Sequence, residues 1–339
     1  MTQSTGGGSR VASTVEYILP LKWTQEGPIT ELADYLAMLP DWVEITVVDG
    51  SPANCFERHM RALPPRLRVL RPDAFETGNG KVVGVLTGVR AARHERLVLA
   101  DDDVRYSAEQ LREVVNRLDG ADLVRPQNYF RELPWHARWD TARSLINRAF
   151  GSDYPGTLAV RRSILETTCG YSSEALFENL ELIRTVHAAG GREARADDVF
   201  VARIPPTARH FLGQRIRQAY DSFAQPGRLA AELAILPLVG YAAGRPRRLV
   251  AGIGALVVLT EVGRRRQGGR QVFPPTSALW APLWALERGV CIWLAVLSRL
   301  RGGVPYAGGR MKLAAHSEAW LTRRHAQAHS RRRQGAEAQ

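Results

Sequence analysis

Lysine is almost missing from these 339 residues. It occurs only at Lys22, Lys81 and Lys312, so arginine supplies nearly all of the 46 Lys+Arg that outnumber 34 Asp+Glu and give a formal charge of +12. Arginine's planar donor fork suits phosphate and so points to nucleotides, nucleic acid or anionic lipid; a genome rich in guanine and cytosine would also raise arginine without any function. Cysteine is scarce too. Cys55, Cys169 and Cys291 stand far apart with no CxxC pair, which argues against a disulfide framework or a zinc site and fits a reducing cytosol. The opening MTQSTGGGSR has none of the apolar character of a secretory signal, and residues 1–14 read as a flexible tail. No internal repeat is visible, and the Gly-rich stretch near Lys81 lacks the GK[ST] of a Walker A loop. No uninterrupted apolar run reaches the ~20 residues of a comfortable membrane span.

What is present is ample apolar material, 45% of the chain, enough for one large domain or two smaller ones. From Val15 to about Leu123, β-rich runs alternate with helical patterns: VEYILPL, ITELADYLAML, VEITVVDG, LRVL, KVVGVLTGVRAA, RLVLA and SAEQLREVVNRL. That order predicts an α/β fold with a parallel sheet covered by helices, because parallel neighbours need crossover connections. Ligands of such sheets bind beyond the carboxyl ends of the strands. After Ala121 the pattern loosens into a strand ADLVRPQ, a helix-like PWHARWDTARSLINRAF, a strand TLAVRR, a helix ENLELIRTVHAAGG and a strand near the end of REARADDVFVARI. PPTARHFLGQRIRQAYDSFAQPG reads as one helix bracketed by proline and glycine.

From Leu229 the composition turns apolar: LAAELAILPLVGYAA, LVAGIGALVVLTEVG, and a longer stretch to Leu300 broken by Glu287 and Arg288. Arg264, Arg265, Arg266, Arg299 and Arg301 flank this ground, and Trp280, Trp284 and Trp293 lie within it. Basic flanks with tryptophan suit helices lying in or dipping into an anionic leaflet; a helical subdomain packed on the core is the plainer alternative. The expected division is a tail to residue 14, a catalytic domain over 15–228, an apolar helical region over 229–315 and a basic tail over 316–339.

Carboxylates recur at strand ends. Asp49 closes EITVVDG, Asp101, Asp102 and Asp103 close RLVLA, and Glu178 with Glu181 open the ENLELI helix. Acids gathered at one sheet rim repel each other unless a cation or donor-rich ligand offsets the cost, so a ligand is implied. Mg2+ and Mn2+ take carboxylate and phosphate oxygens and use only one or two protein carboxylates while phosphates fill other positions. In an extended segment Asp101 and Asp103 point one way and Asp102 the other. Gly78, Asn79, Gly80 and Lys81 stand where a helix should begin, and free N–H groups there favour phosphate.

Taken in order, VVDGSP, GNGKVVGVLTGVRAARHERLVLADDDV, VRPQNYF, YPGTLAVRRSI, GYSSEALFENLELIRTVHAAGG and QRIRQAY resemble the family 2 inverting glycosyltransferases over residues 15–225. The chain is similar to membrane-associated members near the ceramide glucosyltransferase and hopanoid-associated branches. The resemblance implies a GT-A nucleotide-diphospho-sugar transferase fold, mostly parallel, with an apolar helical C-terminal region. It implies that Asp49 takes hydrogen bonds from the nucleobase, that Lys81 and Asp102 lie near the nucleotide sugar, and that Asp101 with Asp103 forms the DxD pair for Mg2+ or Mn2+, Asp103 being favoured as the direct ligand. Gly156 and Thr157 would border the sugar pocket, and Gln214 and Arg217 of QRIRQAY would close over the diphosphate, with Gln218 where the family has tryptophan and Tyr220 as a substitute aromatic surface. The family's Glu-Asp pair reads Glu178-Asn179 here. Asparagine takes no proton, so the general base moves to Glu178, with Glu181 in reserve or simply exposed.

The expected activity is transfer of a sugar from a nucleotide-diphosphate donor to a hydroxyl or phosphate of a lipid-like acceptor at the cytosolic membrane face. Extension of a soluble glycan and a noncatalytic sugar-nucleotide or membrane-binding scaffold are the alternatives. Nucleic acid is not expected as a partner, because the basic residues concentrate in the C-terminal part without interleaved aromatics on a sheet.

Overall fold

The computed structural model describes residues 15–24, 27, 29–73, 78–151, 153–306 and 309–337, with side chains of the last helix described to residue 327. The expected tail over 1–14 lies outside the described residues.

The first half alternates as the sequence predicts: β1 (Val15–Leu21), α1 (Ile29–Met38), β2 (Val43–Asp49), α2 (Ala53–Ala62), β3 (Arg68–Leu70), α3 (Gly80–Ala91), β4 (Arg96–Ala100), the short β5 (Val104–Arg105) and α4 (Ala108–Arg117). Helix starts carry local signals. Asn79 caps α3 by accepting from the Lys81 amide, and Ser107 with Gln110 forms a reciprocal capping box on α4. Successive residues of β1 serve opposite cores. Tyr17 and Leu19 pack with Leu32, Leu36 and Leu111 on one face, while Ile18 packs with Val82, Val85 and Leu97 on the other. A strand buried on both sides by helices reads as a continuous apolar run for this reason.

Next come β6 (Leu123–Phe130), α5 (Trp135–Ala149), β7 (Thr157–Arg161), α6 (Arg162–Thr168), α7 (Glu178–Ala188) and β8 (Glu193–Arg203). The eight-stranded sheet runs β3-β2-β1-β4-β7-β6-β8-β5. Pairs around β1, β2 and β3, and the pair β6–β8, are parallel; β7 runs antiparallel to both β4 and β6, and β5 antiparallel to β8. The sheet is thus mostly rather than wholly parallel. The reversed β7 sets Thr157 opposite Ala100, so the loop before it meets the aspartates after β4.

The segment expected as one helix after Pro206 is broken into α8 (Ala208–Gly213), α9 (Arg215–Tyr220) and a 3-10 turn over Asp221–Ala224. Gly213, a poor helix former, precedes the break at Gln214. The chain continues through α10 (Pro226–Ala243), α11 (Pro246–Arg265), α12 (Ala281–Leu300), the hairpin β9 (Val304–Tyr306) and β10 (Gly309–Met311), and α13 (Glu318–Glu337).

These C-terminal elements are anchored on the α/β part. A Cβ on Gly263 of α11 would lie 1.8 Å from the Leu145 carbonyl of α5, so only glycine permits that approach. Arg148, 1% exposed, fastens the same junction by donating to the Gly263 and Asp197 carbonyls and to Gln127. Leu176, Leu180, Tyr220, Ile292 and Met311 share a core that joins α7, α9, α12 and β10. Pro275–Leu300 forms 26 helical residues, a longer run than expected, and an 18-residue window of mean hydropathy 1.3 within it meets the length and apolarity for crossing a membrane although 39% of that window is buried in the protein. Glu287 does not interrupt it, because its carboxylate accepts from Arg215 at 2.7 Å. The tail read as solvated is the helix α13, whose first turns pack on α7 with Leu321 buried.

Asp140 lies at the centre of a buried ion network, 3.1 Å from Arg143 and 3.2 Å from Arg215, with Arg143 also 3.1 Å from Asp153. Burial pushes the Asp140 and Asp153 carboxyls up, but the neighbouring guanidinium groups more than reverse it and hold both below the ordinary aspartate range. Asp140→Ala removes the carboxylate shared by two buried cations, leaving Arg143 to Asp153 alone and Arg215 to Glu287 alone, and a loss of about 3 kcal/mol of unfolding free energy is expected in denaturant melts. Because the folded values are depressed, this contribution is complete at neutral pH. It drains away as pH falls from about 4 through the depressed folded values, and melts at descending pH would show it.

Candidate active site

Beyond the carboxyl ends of β1, β2 and β4 lies a cavity of about 1340 Å³. Lys81, Asp101, Asp102, Asp103, Gly156, Glu178, Gln214 and Arg217 all line it, from segments as far apart as β4 and α9.

The centre is a chain of opposite charges. Lys81 Nζ lies 2.6 Å from Asp101 and 2.7 Å from Glu178, and Asp103 pairs bidentately with Arg203 through contacts including 3.0 Å to Nε. Register explains the second pair. Val104 sits opposite Arg203 in the β5–β8 ladder, which brings the arginine alongside Asp103. Burial lowers the Lys81 ammonium, yet Asp101 and Glu178 together raise it well above its ordinary value, so it stays charged. Asp101 is raised, first by burial and then by the field of Asp103, against the pull of Lys81. The triplet is not the extended segment expected: it turns after β4, the Val104 amide donating to the Asp101 carbonyl at 3.1 Å, and Asp102 takes a separate partner, accepting from the Trp23 indole, with its carboxyl also raised by burial and by Asp103.

Gly156 earns its place by proximity. An added Cβ would stand 2.7 Å from Asp101 Oδ2 and 3.3 Å from Arg203 Cζ, inside the charge cluster. Its amide donates to Asn128 at 2.7 Å, and its carbonyl accepts from the Asp101 amide at 2.9 Å. Asn179 explains the departure from Glu-Asp: its side-chain amide donates to the Pro155 carbonyl at 2.7 Å, a bond no carboxylate can make, and so fixes the loop that carries Gly156. Asn79 is a second hub. Besides capping α3, its Oδ1 accepts from Tyr306 at 2.8 Å and its amide reaches the Ala175 carbonyl at 3.3 Å and Glu178 at 3.4 Å.

Several expected residues stand elsewhere. Asp49 is fully buried with both oxygens engaged, one by the Ser51 amide at 2.8 Å and the other by His59 Nδ1 at 2.7 Å, so its carboxylate braces a turn and does not face the cavity. Thr157 is buried and donates to the Leu99 carbonyl, outside the cavity lining. Glu181 is neither exposed nor a reserve base. It is fully buried and accepts from the His316 amide at 2.8 Å and His316 Nδ1 at 2.7 Å, pinning α7 to the segment before α13. Tyr220 offers no surface either, since it is buried and donates to the Lys312 carbonyl; Arg217 instead lies 4.7 Å over the ring of Tyr306. Arg215, open in the sequence to being a solvated basic face, is buried against Asp140 and Glu287.

Sequence reasoning passed over Arg203, Tyr306, Trp23 and Asp221. Arg203 ends a strand whose pairing with β5 spans some hundred residues, and Tyr306 arrives on a hairpin whose sequence VPY carries no motif, so neither left a local signal. Asp221 had one: it lies four residues past Arg217 of the recognised element, about one helical turn.

Residues 30–178 match the family model Glycosyl transferase family 2. Among solved structures, the mannosyltransferase PcManGT from Pyrobaculum calidifontis in complex with GDP-Man and Mn2+ superposes with a TM-score of 0.50 at 18% identity, over 81% of this chain and 87% of that one. Glucosyl-3-phosphoglycerate synthase from Mycobacterium tuberculosis, in complex with Mn2+, UDP and phosphoglyceric acid, is a looser match, with a TM-score of 0.41 at 18% identity over 60% of this chain and 75% of that one. No curated protein matches the chain. The match to the family model over residues 30–178 and the GT-A-like architecture both point to a family 2 glycosyltransferase.

Proposed function

We propose that the protein is a metal-dependent inverting hexosyltransferase that moves a sugar from a nucleotide-diphosphate donor to a hydroxyl or phosphate of a lipid-like acceptor at the cytosolic face of the membrane. The observation that carries the transfer reaction is the Lys81–Asp101 and Asp103–Arg203 pairing at the end of β4, on the wall of the large cavity. Cations and carboxylates interleaved in this way suit a polyphosphate and the divalent ion that accompanies it.

Among the described residues no three His, Cys, Asp or Glu side chains form a ready metal cage. The pattern of two carboxylates whose remaining positions fall to phosphate does not need one. Asp101 and Asp103 fit a hard cation in donor chemistry, and the cost that burial and the nearby Asp103 place on the Asp101 charge is one a cation would offset. These two residues would hold Mg2+ or Mn2+, which when bound neutralises charge on a departing diphosphate. Lys81 and Arg217 meet the diphosphate oxygens as fixed cations, and Gly156 leaves room for the sugar beside Asp101. The mannosyltransferase with GDP-Man and Mn2+ supports the donor class.

The membrane reading rests on α10 and α11. Leu238, Tyr241, Val250, Ile253 and Val258 are exposed along them, and Arg245, Arg247 and Arg248 are exposed where the two helices join. Arg228, in the first turn of α10, lines the cavity, so an acyl or prenyl chain lying along this helix would present its head group to the site.

The test is a panel of sugar nucleotides including GDP-mannose and UDP-glucose, with Mn2+ or Mg2+, read by metal-dependent binding and nucleotide release. Binding that needs no metal, or no binding at all, would sink the transfer reading. Flotation with phosphatidylglycerol vesicles tests the location; a monodisperse protein at low salt that ignores the vesicles would favour a soluble glycan acceptor.

A further inference from the structure

Single displacement requires a group that takes the proton of the attacking hydroxyl. Glu178, the residue the sequence offers, is poorly suited. Burial would raise its carboxyl, but Lys81 at 2.7 Å more than reverses this and holds it below the ordinary glutamate range. A carboxylate stabilised in this way gives up little of its charge to a proton, and its evident work is to hold Lys81 in place.

Asp221 has the opposite surroundings. It opens the 3-10 turn after α9, lines the same cavity, and is half-buried with Oδ1 shut off from solvent and accepting no hydrogen bond. A buried carboxylate oxygen without a donor is costly unless something arrives to donate to it. We propose that Asp221 is the general base for the acceptor hydroxyl, an inference that rests on the transferase reading above. As the acceptor oxygen bonds to the anomeric carbon, its proton passes to Asp221 Oδ1. The bond from that carbon to the diphosphate oxygen breaks, and its electron pair leaves with the nucleoside diphosphate, so the step needs no further reactant.

The electrostatics agree with the geometry. Burial pushes the Asp221 carboxyl up to about 7; Glu178 of α7 adds to the rise, against Arg217 of α9, Arg288 of α12 and Arg228 of α10. A base with that value is half ionised near neutrality, where transfer to it is most effective.

The experiment follows nucleotide release from GDP-mannose and UDP-glucose with Mn2+ between about pH 5 and 9, together with nucleotide affinity, in the full-length protein and its variants. Wild-type kcat/KM should rise with pH and break near 7. Asp221→Asn should lose at least about 100-fold in release and lose the break, with nucleotide affinity unchanged as evidence of folding; Asp221→Glu should recover part of the rate. Stability gives a readout free of activity. The raised carboxyl stabilises the fold fully below about 4 and ceases to as pH rises through about 7, so Asp221→Asn should gain in Tm relative to wild type from pH 5 to pH 8. If wild type binds and turns over donor while Asp221→Asn keeps both rate and break, or if Glu178→Gln alone removes the break, Asp221 is not the base and the transferase reading stands. Failure of wild type to bind any donor with metal overturns that reading, and this one with it.

Discussion

Asp103→Ala is expected to weaken metal-dependent nucleotide binding by at least about 100-fold and to remove turnover with it. Losing even a residue that only orients a metal ligand costs about 10- to 100-fold in affinity, so losing one of two proposed ligands should cost more. A second effect adds to the first. Arg203, 25% exposed and paired with Asp103, would be left facing Asp101, and a guanidinium drawn towards that carboxylate competes with the metal for its oxygens. The check is nucleotide titration with and without Mn2+: the variant should bind weakly and equally in both. Retention of the metal response would show that Asp103 is only the partner of Arg203.

Lys81→Met is the second large effect, expected at about 100-fold in kcat/KM. The substitution keeps the length of the stem but removes the charge that holds Asp101 and Glu178 together, leaving two part-buried carboxylates to repel each other. Close charge pairs of this kind couple by about 1.5 to 7 kcal/mol, so the loss should not add to that of a neighbour in the same network. In Lys81→Met combined with Glu178→Gln, the rate should fall little below that of the lysine variant alone, because the glutamate's task has already gone. Full additivity in this double-mutant cycle would mean that the two side chains act separately. Acid stability gives an independent mark: the Glu178 carboxyl, held low beside Lys81, stabilises the fold at neutral pH and ceases to as pH falls below about 4, and the lysine variant should lack that part of the acid response.

How much of the site could be read in advance depended on how locally each residue acts. Asp101, Asp102 and Asp103 were legible as a group because an apolar strand ending in acids has few structural uses, but their directions were not, because the chain turns after Ala100 instead of staying extended. Lys81 was legible from a helix start, and Gly156 from its motif. Asp49 and Glu181 were misread for one reason. Each lies at the expected sequence position, but donors from elsewhere, His59 ten residues on and His316 in the C-terminal segment, had already taken their oxygens. Tyr220 faces inward, where its hydroxyl donates to the Lys312 carbonyl, and the hairpin carries Tyr306 over Arg217 in the place expected for Tyr220.

The sequence by itself determined the alternation of strands and helices, the two cores that β1 serves, the rim at which acids collect, and the apolar character of α10 to α12. All of these follow from periodicity and from contacts within a few residues. The tertiary structure decided which charges neutralise which, as Arg203 meets Asp103 and Glu178 meets Lys81 across roughly a hundred residues of chain. It also left Asp221 Oδ1 without a donor. A carboxylate's chemistry is set by the dielectric and the charges within a few ångströms of it, and those neighbours are chosen by folding, not by adjacency along the chain.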